Sequence, residues 1–151
     1  MPRTIKLAPL REDHLEAIVA IEQQSHGCPW SEQSFRNELG HTHACFRVAL
    51  DGAEVVGYGG LWLIVDEAHI TTVTVKPERR REGIGRRLVE TLLDEARGRG
   101  AVCATLEVRA GNEAAIKLYE SFGFVRSGVR KGYYPDNKED AVVMWLHGLG
   151  P

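Results

Sequence analysis

Apolar positions along this chain change their period several times, and each change marks an element. Thr4–Leu7 reads as a short strand. After it Leu15, Ile18, Val19 and Glu22 fall at helical spacing, with the apolar residues on one face. In "PWSEQSFRNELG", Ser31 is a candidate N-cap with glutamate following and Gly40 a stop, which predicts a second, short helix behind a loop holding Pro29 and Trp30. "HACFRVAL" and "AEVVGYGGLWLIV" read as strands joined by an Asp51-Gly52 turn. "AHITTVTVKP" alternates and stops at Pro77. From Ile84 onward Leu88, Leu92 and Ala96 recur every four residues with Leu93 beside them, an amphipathic helix ending near Gly98 and Gly100. "AVCATLEV" is a strand and "NEAAIKLYESFGF" a helix stopped by Gly123. "FVRSGVR" and "AVVMWLH" are the last strands. The predicted order is β-α-α-β-β-β-α-β-α-β-β.

Composition narrows the class. A chain of 151 residues with 43% hydrophobic content can pack one core, and no repeat or linker composition divides it, so one domain over 1–151 is expected. Cys28, Cys45 and Cys103 make no CxxC pair, which argues against a disulfide framework or a zinc site. The N-terminus lacks a signal-peptide core, and no apolar run approaches the ~18 residues of a membrane span. The expected compartment is cytoplasmic, with no membrane partner.

Charge adds a sharper feature. The formal net charge is −2, yet Lys76–Arg87 carries six basic and two acidic residues, net +4, leaving −6 for the remainder. A single basic island suits a small polyphosphate better than a nucleic acid, which calls for a broad basic surface, so no nucleic-acid partner is expected. The island contains Gly83-x-Gly85 directly before a helix, where unpaired backbone N–H groups make an anion site and glycine lets the backbone approach a phosphate. A bare GxG is more often a tight turn beside solvated arginines. The third glycine of a dinucleotide fingerprint and the GK[S/T] of a P-loop are absent.

Other residues also carry an ordinary reading beside a chemical one. Glu107 in an apolar strand could pair with Arg109 or point outward; alternatively it is a base. Tyr119 falls with Ala115, Leu118 and Phe122 on an apolar helix face, the default position of a core tyrosine. Trp30 alone is most often core, and Tyr133-Tyr134 a packing lid. His26 and His41-x-His43 lack a completing ligand, so no metal is expected.

Arg80-x-x-Gly83-x-Gly85 after a V-x-V-x-P strand resembles the GCN5-related N-acetyltransferase family, whose hallmark is Gln/Arg-x-x-Gly-x-Gly/Ala. The resemblance implies a mixed, mostly antiparallel α/β sheet splayed between the strand at 69–76 and that at 101–108, with acetyl-coenzyme A in the opening. It implies pyrophosphate contacts from Arg80, Arg81, Gly83, Ile84, Gly85 and Arg86, with Arg79 and Arg87 free to be solvated. Thr72, Val73 and Val75 would align the cofactor and the oxyanion, and Asn112 would add a polar contact. Pro29-Trp30-Ser31, "LEVRAGNEAAIKLYESFGF" and "RKGYYPDNKEDAVVM" are similar to the RimI-type subgroup, which acetylates the N-terminal alanine of ribosomal protein S-eighteen. That similarity implies Glu107 as general base, Tyr119 as general acid, and Trp30, Tyr133 and Tyr134 as walls of a peptide groove. Gly111-Asn112 stands where the family often has Ser-Asn. A basic peptide near Asp136, Glu139 and Asp140 is the expected partner. Rival expectations are a lysine or small-amine acetyltransferase of the same fold and a non-catalytic acyl-coenzyme A sensor.

Overall fold

The structure, a computed structural model, describes residues 4–27 and 29–149; Cys28 lies outside the described residues. Its strands are β1 (Ile5–Pro9), β2 (Ala44–Asp51), β3 (Glu54–Ile64), β4 (Glu67–Val75), β5 (Cys103–Arg109), β6 (Val125–Arg130) and β7 (Ala141–His147). The helices are α1 (Leu15–Ser25), α2 (Glu32–Glu38), α3 (Ile84–Gly98) and α4 (Glu113–Ser121). Two single 3-10 turns, Glu12–His14 and Pro77–Arg79, lead into α1 and the glycine loop. Within about two residues the elements are those the periodicity predicts, with β1 running Ile5–Pro9 rather than Thr4–Leu7.

Local chemistry explains the boundaries. Ser31 Oγ accepts the Ser34 N–H at 3.1 Å and starts α2. Gly52 at φ +62° makes the β2–β3 turn, a conformation glycine adopts without a side-chain clash. Among the described residues the sheet runs β1-β2-β3-β4-β5-β7-β6. Its pairings are antiparallel except β4 with β5, which run parallel and pair only over Glu67–His69 against Cys103–Thr105. Beyond that short register the strands separate, so Ile70–Val75 and Leu106–Arg109 face each other across an opening in the sheet, the splay expected between those strands.

Packing holds the opening in place from both faces. Below, Leu92, Leu93 and Ala96 of α3 and Ile116 of α4 meet Leu61, Ile70, Leu106 and Met144 in one buried cluster. Above, Leu15, Ile18 and Ile21 of α1 and Phe35 of α2 cover Phe46, Val48 and Tyr58. Strand alternation sends Leu106 and Val108 into the lower core, which puts Glu107 on the upper face.

Candidate active site

The glycine loop sits at one end of the opening. Gly83 caps α3 at φ +79°, and a Cβ built there would meet nothing within 4 Å. Arg87 N–H is the first to bond back into the helix, to the Gly83 carbonyl, so the preceding N–H groups of the first turn face outward with the positive end of the helix dipole. A groove of about 930 Å³ runs from Arg80, Arg81, Gly83, Gly85 and Arg86 past Val73 and Val75 to Asn112 and Tyr119. It therefore collects most of the residues predicted for the cofactor; Thr72 lies further in, on the recess described below.

The island's arginines divide into two sets. Arg79 is buried, with its guanidinium on Glu82 at 3.0 Å and Asp51 at 2.9 Å; hydrogen bonding to Glu82, against the cost of burial, holds its pKa above the usual arginine range. Arg87 donates to the Ile5 carbonyl of β1. Either could have been left to solvent, and both instead tie the loop to the sheet. Lys76 is paired with Glu54 at 2.8 Å. Arg80, Arg81 and Arg86 are the exposed guanidiniums on the groove, with Arg86 over the Phe122 ring at 5.1 Å and donating to Ser121 Oγ. Asn112 spends its Oδ1 on the Ala115 N–H as the α4 cap, so its amide N–H groups are what it can offer a ligand.

At the other end a smaller recess of about 220 Å³ is lined by Glu107, Thr72, Trp30, Tyr134 and Tyr119. Glu107 Oε2 lies 2.8 Å from His69 Nε2, and Oε1 lies 3.8 Å from Arg130. A Glu107–Arg109 pair, one of the ordinary readings of this glutamate, does not form among the described residues because Arg109 is engaged elsewhere. It donates to Asp136 and Glu139 and lies 4.0 Å over the Tyr134 ring. Burial opposes the charge of Arg109, yet these carboxylates keep its pKa raised. Asp140 accepts the Gly132 N–H. Of the acidic patch expected to attract a basic peptide, Asp136 and Glu139 thus pin the 131–140 loop to β5, and Asp140 closes that loop on itself.

Tyr119 is buried, packs edge-on against Phe124, and makes no hydrogen bond through its hydroxyl among the described residues. Burial pushes its pKa above the ordinary tyrosine value. Tyr134 reaches the recess, whereas Tyr133 is 45% exposed, sits edge-on to Tyr134 and under Arg130, and does not line it. His41 packs on Trp62 with the His43 ring 5.9 Å from its own, whereas His26 lies apart and bonds Thr74 Oγ1.

A model of the acetyltransferase (GNAT) family matches residues 15–124. This chain belongs to that family. It is similar to the ribosomal protein bS18 alanine N-acetyltransferase of Escherichia coli K12, 39% identical over 142 residues that cover 93% of this chain and 95% of the relative. The N-alpha-acetyltransferase RimI of Mycobacterium tuberculosis is 42% identical over 120 residues, 77% of this chain and 74% of that one. The crystal structure of the E. coli ribosomal-protein-S18-alanine N-acetyltransferase superposes with a TM-score of 0.88 at 35% identity, covering 96% of this chain and 94% of that one.

Two site residues of this acetyltransferase escape a reading of the sequence. His69 looks like one more polar position in an alternating strand, and only β4–β5 pairing brings it to Glu107. Glu22 was visible as a carboxylate on an apolar helix face. It is buried, accepts the Tyr58 hydroxyl at 2.5 Å and the Trp30 N–H at 3.0 Å, and so anchors the α1–α2 loop beside the recess. No helix among the described residues is long and apolar enough to cross a membrane.

Proposed function

We propose that this acetyltransferase moves the acetyl group of acetyl-coenzyme A directly to the α-amino group of a protein beginning with alanine, the substrate class named for its bacterial relatives. The observation that carries the reading is the single opening between β4 and β5, with an anion-binding loop at one end and a carboxylate, Glu107, at the other. The loop suits a pyrophosphate: the space over Gly83 is clear, the helix dipole points into it, and Arg80, Arg81 and Arg86 flank it. Acetyl-coenzyme A, when bound, supplies the acetyl group as an activated thioester.

The chain's own residues then have separable jobs. An α-amino group has a reference pKa near 7.7–8.0, so much of it is protonated at neutral pH and must lose a proton before it can attack. Glu107 receives that proton, and His69 Nε2 at 2.8 Å fixes the carboxylate while its ring, about one-third exposed, connects it to solvent. Tyr119, its pKa raised, serves as a hydrogen-bond donor to negative charge developing on the departing sulfur rather than as a freely ionising acid. Trp30 and Tyr134 narrow the recess so that a thin backbone terminus enters more readily than a lysine side chain.

The test is to incubate the protein with acetyl-coenzyme A and peptides beginning with Ala, Ser or Met, beside one with a blocked terminus and an internal lysine. Mass shifts on the free Ala terminus, with none on the blocked peptide, are expected. Equal acetylation of the internal lysine would overturn the reading.

A further inference from the structure

A second pocket, of about 520 Å³, opens beside the recess on the upper face and is lined by Trp30, Ser34, Asn37, Glu38, His41 and Trp62. Trp30 lines both cavities, so the two share a wall. The floor is aromatic: His41 lies against Trp62 with ring centroids 4.0 Å apart. Glu38 is only 7% exposed, and its Oε1 accepts the Trp62 indole N–H at 3.0 Å. Oε2 has no hydrogen-bond partner among the described residues. Burial pushes the pKa of this carboxylate up, while the Trp62 indole N–H and nearby His41 favour its charged form and offset part of that cost. His41 is the nearest titratable neighbour, and its Nδ1 accepts the His43 N–H.

Aromatic faces around a buried, half-satisfied carboxylate are complementary to an organic cation, which gains from the ring quadrupole and the carboxylate together. The sheet register sets the distance from the reaction. Trp62 stands opposite His69 across β3–β4, and His69 holds Glu107. Two strand spacings and an offset of two residues put Trp62 roughly 12 Å from Glu107, a span that three to four extended residues cover.

We propose that the pocket formed by Trp62, Glu38, His41 and Trp30 is a specificity subsite for an arginine or lysine side chain at residues two to four of the peptide substrate. This rests on the N-terminal reading above and adds to it where the basic character of the substrate is sensed. The carboxylates first expected to sense it, Asp136 and Glu139, are occupied by Arg109.

Steady-state kinetics on Ala-initiated peptides test it, with one arginine moved through positions two, three, four and eight and each peptide matched to a citrulline counterpart of the same shape without charge. For the wild-type protein, kcat/KM should favour arginine over citrulline by about 5- to 30-fold at one of positions two to four, and by less than about twofold at position eight. Glu38→Gln, which keeps an oxygen for the Trp62 indole, and Trp62→Leu should each bring the favoured ratio towards one. Thermal melts of both variants check folding; should Trp62→Leu fail to fold, Glu38→Gln and the position scan still decide. An equal arginine preference at position eight, or a ratio unchanged in Glu38→Gln, would overturn the subsite and leave the N-terminal reading standing. If no Ala-initiated peptide is acetylated at all, it is the N-terminal reading that fails.

Discussion

At the cofactor end of the cleft, one continuous segment from Arg80 to Arg86 supplies the helix N-terminus, the open glycine and the exposed guanidiniums. At the acceptor end, Glu107 comes from β5, His69 from β4, Arg130 from β6 and Trp30 from the α1–α2 loop, which is held by Glu22 of α1. The first end is made by neighbours in sequence and the second by strand pairing. A local motif tolerates variation elsewhere in the molecule. An assembled site depends on every element that sets its register.

This difference can be tested, beginning with the largest effect. Gly83→Asp places a side chain at φ +79°, a region in which aspartate is strained, and a negative charge where phosphate is expected. Calorimetric binding of acetyl-coenzyme A should become undetectable while the thermal melt falls by only a few degrees from the backbone strain. Retained affinity would remove the loop from the cofactor site.

At the acceptor end, Glu107→Gln should leave acetyl-coenzyme A affinity intact and lower kcat by about 10²–10⁴-fold, the range for a positioned base. Tyr119→Phe should cost less, about 10- to 10²-fold, since it removes one hydrogen bond to developing charge. The pH profile separates the two roles. Because burial raises the Tyr119 pKa, its hydroxyl stays protonated across a normal assay range. Any fall in rate up to about pH 9 must then arise elsewhere and should persist unchanged in Tyr119→Phe. A decline that disappears in that variant would show the tyrosine titrating.

How much of this was legible in the sequence follows the same division. The Gly83-x-Gly85 loop and α3 could be read because the turn, the cap and the apolar face all lie within one short stretch. The pairing of Glu107 could not: Arg109 is two residues away on the same strand and points to Asp136 and Glu139, whereas His69 is 38 positions away in the chain. Charge counting was incomplete for a related reason. It left Arg79 and Arg87 as the arginines that could be solvated, but Arg79 is buried on Asp51 and Glu82 and Arg87 is bonded to β1, and these links depend on the hairpin and on the first strand. Tyr133 and Tyr134 are adjacent, yet only Tyr134 lies over Arg109, so one reaches the recess and the other faces outward.

That split within the island yields a paired prediction. Arg80→Ala should weaken acetyl-coenzyme A binding by about 5- to 10-fold, as expected for one lost charge-assisted contact, and leave the melting temperature unaltered. Arg79→Ala should do the reverse, lowering the melting temperature through loss of its buried pairings with a smaller change in affinity. Calorimetry and thermal melts on the same two variants measure both. A similar affinity loss in each would mean the arginines act as one charge cloud and the structural division is irrelevant to binding.

The smallest expected effect belongs to His69, a positioning residue that reaches the substrate only through Glu107. Its Nε2 lies 2.8 Å from the carboxylate on a ring about one-third exposed, so it can fix the orientation of Glu107 without contacting either substrate. Replacing it by leucine keeps a side chain of similar bulk on the strand and removes the contact; kcat should fall by about 3- to 10-fold, the usual scale for losing one hydrogen bond that orients a catalytic group. The KM values for peptide and acetyl-coenzyme A should stay within about twofold, because no binding group is removed. Glutamine at the same position carries an amide N–H that can reach the carboxylate, so His69→Gln should recover most of the lost kcat. General damage to the β4–β5 junction would depress both variants alike and raise both KM values. A leucine variant with wild-type kcat would show that Glu107 is held by the sheet and Arg130 alone, and the acceptor end would then be less dependent on strand pairing than its geometry indicates.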